Sequence, residues 1–114
     1  MVGRWIRHIT AGSKGLWRFM QEDYGYDFVI LLAIAMLLAW LFGASRIGLT
    51  IVGLLGVLTL SVEAFNSAIE RICNLVQPQS DPKIKSIKDI SAGGVLAIGF
   101  VFVLTTICVC YWRL

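Results

Sequence analysis

Three stretches of this chain carry no charged side chain: Phe28–Ala44, Ile47–Val62 and Ile90–Trp112, of 17, 16 and 23 residues. A helix needs about 20 apolar residues to cross the hydrocarbon layer of a bilayer. The third stretch is long enough alone, and the first two sit at the short end. The second is expected to stay helical through Val76, beyond its charge-free part. The pattern therefore predicts transmembrane helices over 28–44, 47–76 and 87–112, the middle one emerging into water at its far end. "FGASRIG" between the first two suits a tight turn, with Gly43 and Ser45 ending one helix and starting the next. "QPQSDP", residues 77–82, breaks the helical pattern with two prolines and leads into a basic connector, "KIKSIKD".

Residues 2–22 follow a different pattern. Wound at 100° per residue, Trp5, Ile6, Ile9, Leu16, Trp17, Phe19 and Met20 fall within about 160° of arc. Arg4, Arg7, Lys14 and Arg18 gather on the opposite side. A basic face opposite tryptophans marks a helix lying in the membrane interface and drawn to anionic headgroups. The alternative, an amphipathic helix of a soluble bundle, sits poorly beside three membrane-length runs. The expected fold is an all-α membrane protein: one integral-membrane domain with an N-terminal amphipathic surface helix and three transmembrane helices.

Composition agrees. Of 114 residues, 58% are hydrophobic and 15% charged, more apolar surface than a soluble domain of this size can hide. No signal-peptide cleavage pattern precedes the apolar segments, which are read as part of the mature protein. Cys73, Cys108 and Cys110 are odd in number and lack a loop framework, so they are read as reduced thiols. The net charge of +3 matters less than its placement. Eight of the ten Lys and Arg residues lie in the N-terminal segment or in 71–89, leaving Arg46 and Arg113 for the other side. The positive-inside rule then puts the N-terminus and the 71–89 segment in the cytoplasm. Basic residues that flank membrane spans speak for topology, and no nucleic-acid partner is expected.

The second apolar run ends in "VEAFNSAIER". On a helix Glu63, Asn66 and Glu70 project from one stripe about 60° wide, bordered by Ser67. A carboxylate held in hydrocarbon costs several kcal/mol unless it is paired or wetted, so this stripe must face protein or a wet cavity. Polar glue between helices is one reading, but a lone Asn or Ser would serve for that. Two carboxylates suit holding a divalent cation and taking a proton. Glu22, Asp23 and Asp27 in "QEDYGYD", and Asp89 after Lys88, share the same cytoplasmic boundary. Together with Arg4, Lys85 and Lys88 they would suit a polyphosphate carrying Mg²⁺. No GxxxxGK[ST] cradle or nucleophile triad occurs, His8 reads as a headgroup contact, and "CVC" is weak as a metal motif.

"VEAFNSAIE" followed about eighteen residues later by "KDISAGGVL" resembles the prokaryotic diacylglycerol kinase family. That family carries E-x-x-N-[ST]-A-[IV]-E on its second transmembrane helix and A-K-D at the start of its third. The likeness is specific from Val62 to Val95 and extends loosely over nearly the whole chain, "RWIRHITAGSKGL" being similar to the family's basic surface helix.

The resemblance implies a small homotrimeric membrane enzyme with active sites shared between subunits at the cytoplasmic interface. It would move the γ-phosphate of MgATP to a lipid hydroxyl, with Mg²⁺ as cofactor and ATP as co-substrate. By position, Glu63 corresponds to the general base, Glu70 to a metal-holding carboxylate and Asn66 to the motif's amide, with Ser67 beside it. Lys88 and Asp89 correspond to nucleotide-site residues, and Arg4 to an arginine near the phosphates. The family's surface-helix pattern, E-x-x-F-R-x-[EH], falls on "EDYGYDF". With one deletion its Glu is Glu22, the metal and nucleotide ligand we adopt; without a gap it is Asp23. The Arg of that pattern becomes Asp27 or is lost, its second acidic or His position becomes apolar, and Asn74 stands where the family commonly has Asp.

The implied function is ATP-dependent phosphorylation of diacylglycerol in the bacterial inner membrane. Undecaprenol is the alternative acceptor, and a non-catalytic membrane adaptor is the alternative of a different class. Gly93 and Ala97, four apart on the third span, would let helices approach closely in the assembly.

Overall fold

The computed structural model describes residues 1–76, 79 and 81–113. Gln77, Pro78 and Ser80, half of the helix-breaking "QPQSDP" segment, and Leu114 lie outside the described residues. The described chain contains the helices α1 (Val2–Glu22), α2 (Gly25–Leu41), α3 (Arg46–Val76) and α4 (Pro82–Trp112).

Local chemistry sets where these helices start. Gly43 adopts φ 85° in the turn after α2, a left-handed conformation that costs glycine little. Ser45 then caps α3, its Oγ accepting from the Gly48 amide at 3.1 Å. At the start of α4 the Asp81 carboxylate accepts from the Lys83 and Ile84 amides at 2.8 and 3.4 Å, with Pro82 in the first turn. The segment "KIKSIKD", expected as a connector, is therefore the first two turns of α4. Asp81 and Pro82 nucleate a helix where lysine content alone suggests a loop.

A rise of 1.5 Å per residue makes the 31-residue helices α3 and α4 about 46 Å long, against a hydrocarbon layer of about 30 Å. Both must project into water. Each is long and apolar enough to cross a membrane, whereas α2, with 17 residues, reaches that standard only together with α1. By length and composition the described helices thus offer two candidate spans, or three when the bent α1–α2 pair is counted as one.

That bend is sharp. The axes of α1 and α2 meet at 88°, and the turn is made at Tyr24, whose φ of 63° is left-handed despite its bulky side chain. Gly25 is buried at the corner, and a Cβ there would lie 2.6 Å from Met20 Cα, so the chain folds back on itself only because Gly25 has no side chain. The right angle sets α1 crosswise to α2.

Small residues let the helices pack. α3 buries Gly48, Val52, Gly56 and Thr59, three or four apart along one face, and farther on Asn66, Ser67 and Cys73. Leu32 of α2 lies over Gly56, and Ala35, Ala39, Val52 and Val109 form the core, with Met36, Leu49 and Phe102 against it. Most large apolar side chains are exposed on the single chain, as surfaces facing lipid or another copy would be. Gly93 and Gly94 have no neighbouring atom within 4 Å of a built Cβ, and Ala97 is exposed. The small-residue stripe of α4 therefore makes no close approach within the chain and faces outward.

The up–down–up path of α2, α3 and α4 sorts the charges. Glu22, Asp23 and Asp27 at the corner, Glu63 and Glu70 on α3, and Asp81 and Asp89 on α4 are all seven acidic residues, and all lie toward one end of the bundle. Arg46 and Arg113 mark the opposite end.

Candidate functional site

The second half of α3 forms the centre of the acidic end. Asn66 and Ser67 are buried there, between a half-buried Glu63 and an exposed Glu70. Asn66 Nδ2 donates to Glu70 Oε1 at 3.4 Å, a long bond. Asn66 Oδ1 is buried and has no partner among the described residues. An orphaned acceptor of this kind costs about 1–3 kcal/mol, so the stripe is unfinished within a single chain. Glu70 and Asp23 both lie within electrostatic reach of Glu63.

The α1–α2 corner contributes more carboxylates. Arg71 Nη2 donates to Glu22 Oε2 at 3.0 Å and also to Asp23 Oδ2. One guanidinium thus gathers the corner carboxylates onto α3 immediately after Glu70. Sequence reasoning counted Arg71 only as a topological charge. Its partners lie 49 and 48 residues away, and no periodic pattern connects them. Glu22 and Asp23, alternatives in the sequence, here share one cation.

On α4, Lys88 Nζ donates to Asn74 Oδ1 at 2.6 Å, which sets Lys88 level with Asn74, one helical turn beyond Glu70. Lys85 Nζ pairs with Asp89 Oδ2 at 2.9 Å on the exposed face. These two and Pro82, Ser86 and Ile90 line an open recess of about 460 Å³. Arg4 is elsewhere. Eighteen residues of straight helix separate it from Glu22, about 27 Å at 1.5 Å per residue. The expected ring of Arg4, Lys85 and Lys88 around the acidic patch does not form within one chain, because a rigid α1 carries Arg4 away and Lys85 is held by Asp89.

Among the described residues, no three His, Cys, Asp or Glu side chains come together to hold a metal ion. Mg²⁺ seldom needs such a cage, being bound by one or two carboxylates together with waters and substrate phosphates. Glu22, Asp23 and Glu70 supply such oxygens on adjoining elements. One or two carboxylates at a time suit Mg²⁺ shared with a polyphosphate and would hold a bare divalent ion only weakly.

Two cavities have different characters. A groove of about 530 Å³ between α1 and α3 has Gly12, Gly15, Leu16 and Phe65 along its walls and Asp23, Ser67 and Arg71 among its polar groups. It brings apolar surface and the acidic end together. A second cavity, about 340 Å³ among α2, α3 and α4, is lined by apolar side chains and by Thr59 and Thr106. Both of those hydroxyls donate to carbonyls of their own helices at 2.8 Å, so this cavity holds no free chemistry.

Residues 11–110 match the sequence profile of the family described as prokaryotic diacylglycerol kinase. No curated protein matches the chain. The match covers most of the chain, and the protein belongs to that family, a family of membrane lipid kinases.

Proposed function

We propose that this member of the prokaryotic diacylglycerol kinase family transfers the γ-phosphate of ATP to diacylglycerol, forming phosphatidic acid at the cytoplasmic face of the bacterial inner membrane. The observation that carries this reading is the acidic stripe of α3. Its half-buried Glu63 stands beside a buried, half-satisfied Asn66, where the charge-free part of α3 gives way to polar residues.

In this reading Glu63 takes the proton of the acceptor hydroxyl as its oxygen attacks the γ-phosphorus, the bond from that phosphorus to the β-phosphate oxygen breaks and ADP leaves, and Asn66 and Ser67 support Glu63 from the same face. Glu22 and Glu70 would hold Mg²⁺, which neutralises the developing charge on the phosphates. Lys88 and Asp89, on the adjoining turns of α4, bind the nucleotide, Lys88 as a point charge toward phosphate. The groove between α1 and α3 seats the acyl glycerol with its headgroup toward Asp23 and Ser67. The right-angled α1 lies in the interface, Trp5 and Trp17 toward lipid.

Three features support a homotrimer with shared sites: the unpartnered Asn66 Oδ1, the outward stripe of Gly93 and Ala97, and the distance of Arg4 from the acidic end. A second copy could bring Arg4 to phosphates held by its neighbour. Undecaprenol presents the same primary hydroxyl at the same depth. Side-by-side assays of γ-phosphate transfer to diacylglycerol and to undecaprenol in mixed micelles decide the acceptor. Diacylglycerol is expected to be phosphorylated at the higher kcat/KM, and a preference for undecaprenol would reassign the substrate.

A further inference from the structure

Arg71 has a place at the site but no role in the chemistry described above. It follows Glu70 directly, so its side chain leaves α3 about 100° away from the acidic stripe, toward the α1–α2 corner. There a single nitrogen, Nη2, is shared between Glu22 and Asp23. The side chains of Arg71, Glu22 and Asp23 are 44%, 56% and 24% exposed, so the contact is open to water and ions and is not a sealed core pair. Two carboxylates drawn together repel unless a cation stands between them. The guanidinium is that cation, and it takes one oxygen of each carboxylate, Glu22 Oε2 and Asp23 Oδ2, for which a divalent ion would compete.

We propose that Arg71 is the resident counter-ion of Glu22 and Asp23 and sets how readily a divalent cation takes those carboxylates. This inference rests on the reading of Glu22 as a magnesium ligand. Bare metal must displace a cation already in place, whereas metal arriving with a polyphosphate brings anionic oxygens to which the displaced guanidinium can turn. The site would thereby favour loading with the metal–nucleotide complex over metal alone. A merely structural role for Arg71, pinning the corner to α3, has the opposite consequence. Removing a strut would scatter the carboxylates and weaken metal binding.

The sign of one measurement separates the two. Mn²⁺ binding to the full-length protein in detergent, without nucleotide, is followed by the loss of the free-ion paramagnetic resonance signal. Arg71→Ala is expected to bind Mn²⁺ roughly threefold to tenfold tighter than wild type, the scale of removing one competing charge at a partly exposed site. Glu22→Gln introduced into Arg71→Ala should abolish that gain. Should Arg71→Ala not fold, Arg71→Lys, which keeps the charge but loses the planar fork, is expected to shift affinity in the same direction by less. An Arg71 variant that binds Mn²⁺ no tighter than wild type overturns the inference. If Glu22→Gln alone leaves wild-type Mn²⁺ binding unchanged, Glu22 is not a ligand, and the metal assignment fails together with the inference.

Discussion

Asn66 donates to Glu70 Oε1 at 3.4 Å while its own Oδ1 stays buried without a donor. An amide satisfied on one side only adds little to the stability of the chain that carries it. Its use must lie with whatever completes the site. Asn66→Ala is therefore expected to lower phosphotransfer by roughly tenfold to a hundredfold while shifting the thermal midpoint little, since one side of the amide is unpaired within the chain. Parallel assays of rate and thermal unfolding in detergent check this. A large loss of stability with normal turnover of the folded fraction would make Asn66 a packing residue.

Lys88 reaches Asn74 across the α3–α4 pair at 2.6 Å, so its charge is anchored by a neutral group and not cancelled by a carboxylate. Lys88→Met should raise the KM for ATP about tenfold or more, the scale of one charge-assisted contact to phosphate, with a smaller change in kcat. Asn74→Ala removes only the anchor and should raise it less. Steady-state kinetics in ATP at saturating lipid distinguish the two.

The two close-approach glycines should differ in cost. A Cβ on Gly25 meets the backbone of Met20, which cannot move without opening the corner, whereas a Cβ on Gly56 meets the side chain of Leu32, which can rotate away. Gly25→Ala is expected to destabilise by about 1–3 kcal/mol and Gly56→Ala by less. Thermal unfolding of both variants in the same detergent gives the order.

Removing divalent cations tests the donor set. With Mg²⁺ chelated, phosphotransfer should fall to background while helical circular dichroism is unchanged, because the carboxylates have Arg71 as a partner in the absence of metal. Adding Mg²⁺ back should restore the rate. A rate insensitive to chelation would remove Mg²⁺ from the site.

The sequence made the helices and the acidic stripe legible for simple reasons. Charge-free runs of membrane length can only be satisfied as helices in lipid, and the spacing of Glu63, Asn66 and Glu70 puts them on one face of any helix. What it hid depends on the path between elements. The 88° corner requires a left-handed Tyr24, a conformation that residue type does not announce. Arg71 meets Glu22 and Asp23 only because of that corner. The helical start of α4 follows from Asp81 and Pro82 acting as cap and first turn, against the loop-like look of a lysine-rich stretch. Arg4 makes the reverse point. A motif groups it with the acidic residues, while the rise of α1 places it about 27 Å from Glu22 in the same copy.

The most direct test is the transfer of labelled γ-phosphate from MgATP to diacylglycerol by purified wild-type protein and by Glu63→Gln in the same micelles. Wild type should label the lipid, and Glu63→Gln should be at least about a hundredfold slower, the scale of losing a general base, with an unchanged thermal midpoint. Full activity in Glu63→Gln would contradict the assignment of the base, and the absence of labelling of any lipid alcohol by wild type would contradict the kinase reading itself.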